Sequence, residues 1–188
     1  MNGKKGGRSL FDSEDLEVTI SKLYQAHYLD VYKFLICFSG NRNDAEDLTQ
    51  EVFIRVLNHL SRYNQQSSIK TWILSIAKHV AIDHHRKKKF VSIFKEGFFK
   101  NIVSTTKQPI EQMEEKELQK MVHDAISSLK PDYRSIVILR GINEFSVKET
   151  SEILQCSQSK VKVSYHRAFK ELKKKINVDA EEVLRHAR

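Results

Sequence analysis

Ser146-Val-Lys-Glu-Thr-Ser-Glu-Ile-Leu-Gln-Cys-Ser-Gln-Ser-Lys-Val-Lys-Val-Ser-Tyr-His-Arg-Ala168 is the stretch that decides the fold class of this chain. Ser146 with Glu149 three residues later makes a capping box, in which hydroxyl and carboxylate each satisfy a backbone N–H left over at a helix start. A short helix through Leu154 follows, then the turn Gln155-Cys156-Ser157, then a long basic helix from Gln158 to about Ile176. Those are the proportions of a helix-turn-helix, whose second helix enters the DNA major groove. Val161, Tyr165, Ala168 and Leu172 fall on one stripe that packs on Val147, Thr150 and Ile153. Gln158, Ser159, Lys160, Lys162, Val163, His166 and Arg167 are then left for DNA, and Lys170 and Lys173 for phosphate. A helix pair of this kind also occurs in plain helical bundles.

Upstream, apolar residues keep to three- and four-residue steps. Leu16, Ile20, Leu23, Tyr24, Tyr28, Val31, Tyr32, Leu35 and Phe38 predict a first helix ending near Ser39-Gly40. Asn43 with Glu46 reads as a second capping box, opening a helix along Leu48, Val52, Phe53, Val56 and Leu60. Tyr63 to Ser68 is a polar loop, and Trp72, Ile73, Ile76, Ala77, Val80 and Ala81 resume the helical period until Arg86-Lys-Lys-Lys89. A fourth helix from about Glu111 carries Leu118, Met121, Val122, Ala125, Ile126 and Leu129 inward. Lys130-Pro131 breaks it, and a fifth runs from Asp132 to about Arg140. The expectation is an all-α chain of two small helical domains. A disordered lead covers 1–12, the first domain 13–89, a flexible linker 90–112, the second domain 113–178 and a tail 179–188.

The chain has 188 residues, with 32 Lys plus Arg against 24 Asp plus Glu, a formal charge of +8 that favours a polyanionic partner. Lys70, Lys78, Arg86, Lys87, Lys88 and Lys89 against Asp83 make residues 69–89 a +5 block. Lys160, Lys162, Arg167, Lys170, Lys173, Lys174 and Lys175 against Glu171 make 158–175 a +6 block. The remainder is therefore acidic, and the positive charge sits on one helix of each domain, as in a protein that touches nucleic acid at two places.

Other classes fall away. Cys37 and Cys156 give neither a disulfide framework nor a zinc spacing, and a reducing cytosol suits them. No apolar run follows Met1 to Arg8, so no signal peptide is expected. Stretches such as Phe34 to Phe38 are too short to cross a bilayer. The six glycines form no phosphate-binding loop. Asp83-His84-His85 has the residue types of a two-metal phosphoesterase triplet, but that chemistry needs further carboxylates and histidines from several strand ends. No catalytic residue, metal, cofactor or small-molecule substrate is expected.

At this point the residues resemble a known family. Asp44-Ala-Glu-Asp-Leu-Thr-Gln-Glu-Val-Phe-Ile-Arg-Val-Leu57 and Ser68-Ile-Lys-Thr-Trp-Ile-Leu-Ser-Ile-Ala-Lys-His-Val-Ala-Ile-Asp83 are similar to conserved region two of the extracytoplasmic-function (ECF) sigma factors of the sigma-70 family. Leu129-Lys-Pro-Asp-Tyr-Arg-Ser-Ile-Val-Ile-Leu-Arg140, with Phe145 to Thr150 and Ser159 to Ala168, resembles region four. The Trp72 helix and the segment Ser157 to Arg167 are most similar to the sigma-X type of Gram-positive bacilli.

The resemblance implies an alternative sigma factor, with core RNA polymerase, promoter DNA and an anti-sigma factor as partners, serving an envelope-stress-type regulon. It implies that Asp47, Gln50 and Glu51 dock on the clamp helices of the beta-prime subunit, with the beta subunit as a further polymerase contact. Their place off the Leu48/Val52/Val56 stripe independently predicts an exposed acidic and amide face, which an ordinary solvated helix would also show. It implies that the loop bearing Tyr63, Asn64, Gln65 and Gln66 captures a flipped base of the minus-ten element, chemistry for which a ring and amides are suited. Lys70, Ser75, Lys78, His79 and Arg86 would then follow the phosphates or the duplex edge upstream, and the second helix-turn-helix helix would read the minus-thirty-five element. Trp72 fits the core better than base stacking. The four Phe at 90, 94, 98 and 99 would dock on polymerase or an anti-sigma factor, or pack on the first domain. The chain has Ser159-Lys160 where the family often has Gly-Thr, and no Gly in the Tyr63 to Ser68 loop, so the identity of the captured base does not carry over. The implied location is cytoplasmic, with an anti-sigma factor able to hold the chain at the membrane. Two other classes compete: a stand-alone helix-turn-helix regulator, and a protein-binding adaptor that would leave both basic helices unexplained.

Overall fold

A computed structural model describes residues 13–98 and 113–186, and every regular element among them is helical. Helix α1, Ser13–Ser39, closes on Gly40, whose positive φ of 70° is the left-handed turn that lets Gly40 N–H reach the Ile36 carbonyl at 2.9 Å. A side chain there would also collide with the His123 imidazole, so the glycine admits a later helix.

Helix α2, Arg42–His59, begins one residue pair earlier than the capping box expected at Asn43 and Glu46. The cap is Asn41, whose Oδ1 accepts the Asp44 N–H at 3.0 Å, while Glu46 pairs with Arg42 at 2.8 Å. A 3-10 turn, Leu60–Arg62, leads into the loop. Helix α3, Ile69–Phe98, runs on through nine residues of the segment expected to be the linker. These helices bury Val31, Phe34, Leu35, Val52, Val56, Ile73, Leu74 and Ala77, each a side chain worth roughly 1.5–3 kcal/mol or, for alanine, less.

The C-terminal half starts with α4, Met113–Ser127. Helix α5, Pro131–Val137, has its proline in the first turn, where the missing N–H costs nothing, and ends in a π-helical turn, Ile138–Ile142. Helix α6, Val147–Leu154, is opened by the predicted capping box: Ser146 Oγ accepts the Glu149 N–H at 3.1 Å and Glu149 Oε2 accepts the Ser146 N–H at 2.8 Å. Gln155 turns left-handed at φ 53°, and α7, Gln158–His186, follows. Helix α7 extends ten residues past Ile176 into the segment expected to be a tail. The disordered lead expected over 1–12 lies outside the described residues.

The two halves share one core. Helix α3 packs on α5 and α6, and α1 packs on α4 and the π-helical turn. Arg134 of α5, only 5% exposed, donates to the Phe38 carbonyl at 3.1 Å across this junction and to Leu129 and Ser127 carbonyls in its own half. Its guanidinium lies 5.0 Å from the centre of the Phe38 ring. Asn143 Nδ2 donates to the Asp30 carbonyl at 2.9 Å.

Candidate nucleic-acid interface

Helix α7 sorts its side chains by depth. Val161, Ala168 and Leu172 are buried and Tyr165 is half-buried, against Thr150 and Ile153 of α6. Gln158, Ser159, Lys160, Lys162, Val163, His166, Arg167 and Lys170 are all exposed, as the stripe predicts. Ser157 caps the helix by accepting the Lys160 N–H at 3.2 Å, a cap that went unnoticed because the residue reads equally well as part of the turn. The Arg140 guanidinium sits 5.6 Å from the Tyr165 ring centre and donates to the Phe145 carbonyl, fixing α7 to the π-helical turn.

On α2, Asp47 and Gln50 are exposed, while Glu51 is half-buried and pairs with Arg55 at 2.5 Å. Asp47 and Gln50 thus face solvent freely and Glu51 is partly neutralised.

The loop after α2 holds its aromatic differently from its amides. Tyr63 is half-buried, its ring 5.2 Å from that of Trp72 and its hydroxyl donating to the Ser67 carbonyl at 2.5 Å. Asn64, Gln65 and Gln66 are exposed. Asn64 Oδ1 accepts the Gln66 N–H at 3.2 Å, and Gln65 has a positive φ of 60°. Trp72 packs against the core, as expected, and Tyr63 is its lid.

The cations of α3 divide in two. Arg86 and His79 are exposed; the His79 ring stands 2.7 Å from the Ser75 carbonyl and 3.0 Å from Lys78 Nζ. Lys70 instead pairs with Asp30 at 2.9 Å and lies 4.9 Å from the centre of the Phe145 ring. Ser75 donates to the Trp72 carbonyl at 2.7 Å. Lys78 lines a cavity of about 210 Å³ with residues of the C-terminal half, among them Asp132, Tyr133, Cys156 and Lys160, and this burial holds its pKa below the ordinary lysine value against the pull of Asp132. Bringing Lys78 and Lys160 to one cleft was not foreseen, because each was assigned to a separate domain.

Asp83, His84 and His85 point to three different neighbours. Asp83 lies 4.0 Å from Arg55, His84 lies 4.0 Å from Asp44, and the His85 ring meets the Phe38 ring edge-on at 6.3 Å.

The family profile for sigma-70 region 2 matches residues 23–91, and that for sigma-70 region 4 matches residues 119–172. The chain is 37% identical over 173 residues to the ECF RNA polymerase sigma factor SigX of Bacillus subtilis (strain 168), covering 90% of this chain and 89% of that protein. It is 34% identical over 160 residues to the ECF RNA polymerase sigma factor SigM of the same organism, covering 83% and 94%. Among solved structures it is similar to the sigma factor RpoE in complex with the anti-sigma factor NepR from Bartonella quintana, at a TM-score of 0.66 and 21% identity over 86% of this chain and 98% of that one. CnrH in complex with the cytosolic domain of CnrY gives the same TM-score of 0.66 at 18% identity, covering 87% and 90%. At these identities the structural likeness is one of fold.

Proposed function

The chain belongs to the ECF sigma factors of the sigma-70 family, and from that membership we propose that it joins core RNA polymerase, brings it to particular promoters and helps to open them. It is an alternative sigma factor, a transcription-initiation factor and not an enzyme. Residues 13–89 and 113–178 form the two working domains.

Asp47, Gln50 and Glu51 hold the beta-prime clamp helices. Tyr63, Asn64, Gln65 and Gln66, with Lys70, Ser75, Lys78, His79 and Arg86, hold the opened minus-ten strand. Gln158, Ser159, Lys160, Lys162, Val163, His166, Arg167 and Lys170 read the minus-thirty-five duplex. What supports this reading above all is α7, where every one of those eight side chains is exposed while Val161, Ala168 and Leu172 on the alternate stripe are buried. The exposed amides beside the Tyr63–Trp72 ring pair suit a base swung out of its helix. Capturing that base needs no catalytic group, since holding the unstacked state shifts the duplex equilibrium toward opening.

An anti-sigma factor is the regulatory partner this reading assigns, since the similar RpoE structure is a complex with one. The working place is the cytoplasm, and an anti-sigma factor would decide whether the chain is held at the membrane. Among the described residues no helix is long and apolar enough to cross a membrane. A stand-alone regulator would use α7 and leave the Asp47/Gln50 face and the amide loop without work.

The test is co-elution of the purified chain with bacterial core RNA polymerase on size exclusion, followed by heparin-resistant run-off transcription. Promoter-dependent transcripts are expected. Elution apart from polymerase, with unaided duplex binding, would overturn the reading in favour of the stand-alone regulator.

A further inference from the structure

The eight exposed side chains of α7 differ in what they can offer to DNA. Lys160, Lys162, His166, Arg167 and Lys170 carry or can take a positive charge, Gln158 and Ser159 carry hydrogen-bonding groups, and Val163 has neither. It is nonetheless 50% exposed. At about 3.6 residues to the turn, Ser159, Val163, His166 and Lys170 line up opposite the buried stripe of Val161, Ala168 and Leu172. Val163 thus stands in the middle of the outward side, the part of a helix that goes deepest when it enters a groove. Lys160 and Arg167 flank this line on one side and Lys162 on the other, and residues 158–170 include no carboxylate. Helix propensity gives no reason for a valine here, since alanine or leucine would serve a solvated helix better.

An apolar side chain set among cations fits a ligand that is anionic at its borders and apolar at one point. Duplex DNA has that chemistry: phosphates border the major groove, and the 5-methyl of thymine is the apolar group on its floor. The Val163 isopropyl group gains by covering that methyl. Over cytosine N4, adenine N6 or guanine O6 it would strip water from a polar atom and offer no hydrogen bond in return, an unfavourable exchange. Branching at Cβ stiffens the side chain, so the methyl must come to it at a fixed place along the helix.

We propose that Val163 selects thymine at one position of the minus-thirty-five duplex through the 5-methyl group, as a specificity-determining residue and not a holder of the backbone. This rests on the assignment of α7 to that duplex, and adds which base is read there and by what force. Uracil, which differs from thymine by the methyl alone, is then discriminated against at the same position.

The test uses holoenzyme assembled from the full chain and core RNA polymerase, on a promoter recovered from fragments of the source genome by run-off transcription. Each thymine of the upstream duplex, on either strand, is replaced singly by deoxyuridine, and affinity is read by competition against the unmodified promoter. Wild-type holoenzyme is expected to lose about fourfold in affinity at one of these positions, and Val163→Ser to bind thymine and deoxyuridine there equally well. With cytosine at that position, 5-methylation of the cytosine should recover affinity for wild type and not for Val163→Ser. Absence of a penalty at every thymine would show that Val163 covers no methyl. A wild-type penalty that Val163→Ser keeps in full would assign the methyl to another side chain or to DNA shape. Either result overturns the role of Val163, while hydroxyl-radical protection of the upstream duplex still keeps α7 on it. Loss of that protection would instead overturn the assignment of α7, and the role of Val163 with it.

Discussion

Ser146 and Glu149 show how one residue pair carries both stability and a pH dependence. The Ser146 side chain and backbone, both bonded to Glu149, hold its carboxyl below the usual range, and Lys70 adds to this. A depressed acid contributes stability that is present above its unfolded pKa, about 4.3, and is lost as pH falls through the folded value. Ser146→Ala should cost about 1 kcal/mol, a drop of about 2–4 °C in the thermal midpoint for a chain of this size. Glu149→Gln should keep the acceptor and remove the share of the acid-side dependence that belongs to this carboxyl. Urea unfolding at neutral pH and at about pH 4 checks both, and a Glu149→Gln curve with the wild-type pH slope would refute the assignment. This pair was legible in the sequence because both partners lie within one turn. The α2 cap was misread for an equally local reason: Asn41 and Asn43 offer the same side chain, and only the Arg42–Glu46 pairing, which withdraws Glu46 from a box, selects the first.

Among the elements, α2 and α7 carry separable work. Asp47→Ala with Gln50→Ala removes two exposed side chains from α2 and should lower core-polymerase affinity by at least about tenfold while circular dichroism stays unchanged. Equal affinity in co-elution would show that another face of the chain docks. Lys160→Ala with Lys162→Ala should leave core binding intact and weaken promoter binding by the holoenzyme, lowering its salt slope by about 0.9 for each phosphate contact removed. An unchanged slope would mean that neither lysine touches the backbone. The exposed and buried faces of both helices were legible because a 3.6-residue period states them directly. The ends of α3 and α7 were not. Phe90, Ile93, Phe94 and Phe98 keep the three- and four-residue steps beyond Lys89, as Ala180, Val183 and Leu184 do beyond Ile176, but the basic runs Arg86–Lys89 and Lys173–Lys175 read as helix ends, and each helix continues through a run free of proline.

The whole molecule adds what no segment announces, the closure of one half on the other. Arg134 and the Phe38 carbonyl are 96 residues apart, and a backbone carbonyl leaves no mark in a side-chain pattern. Closure also predicts a response to acid. His85 of α3 lies edge-on to Phe38, and burial first, then Arg134 of α5 and the neighbouring Lys89, His84 and Lys88, hold its pKa below the ordinary 6.5. A base with a depressed pKa binds fewer protons in the closed form than when released, so closure is complete above the released value and weakens as pH falls through it. The Arg134 contribution crosses the junction and is relieved by opening, whereas those of Lys88, Lys89 and His84 stay on α3. Between about pH 7.5 and about pH 5.5, the Cys156 alkylation rate, corrected for thiolate fraction, and the radius of gyration should rise together. His85→Gln should flatten that rise. A wild-type profile that is flat over this range, or a His85→Gln profile identical to wild type, would show that the His85 imidazole does not report on closure.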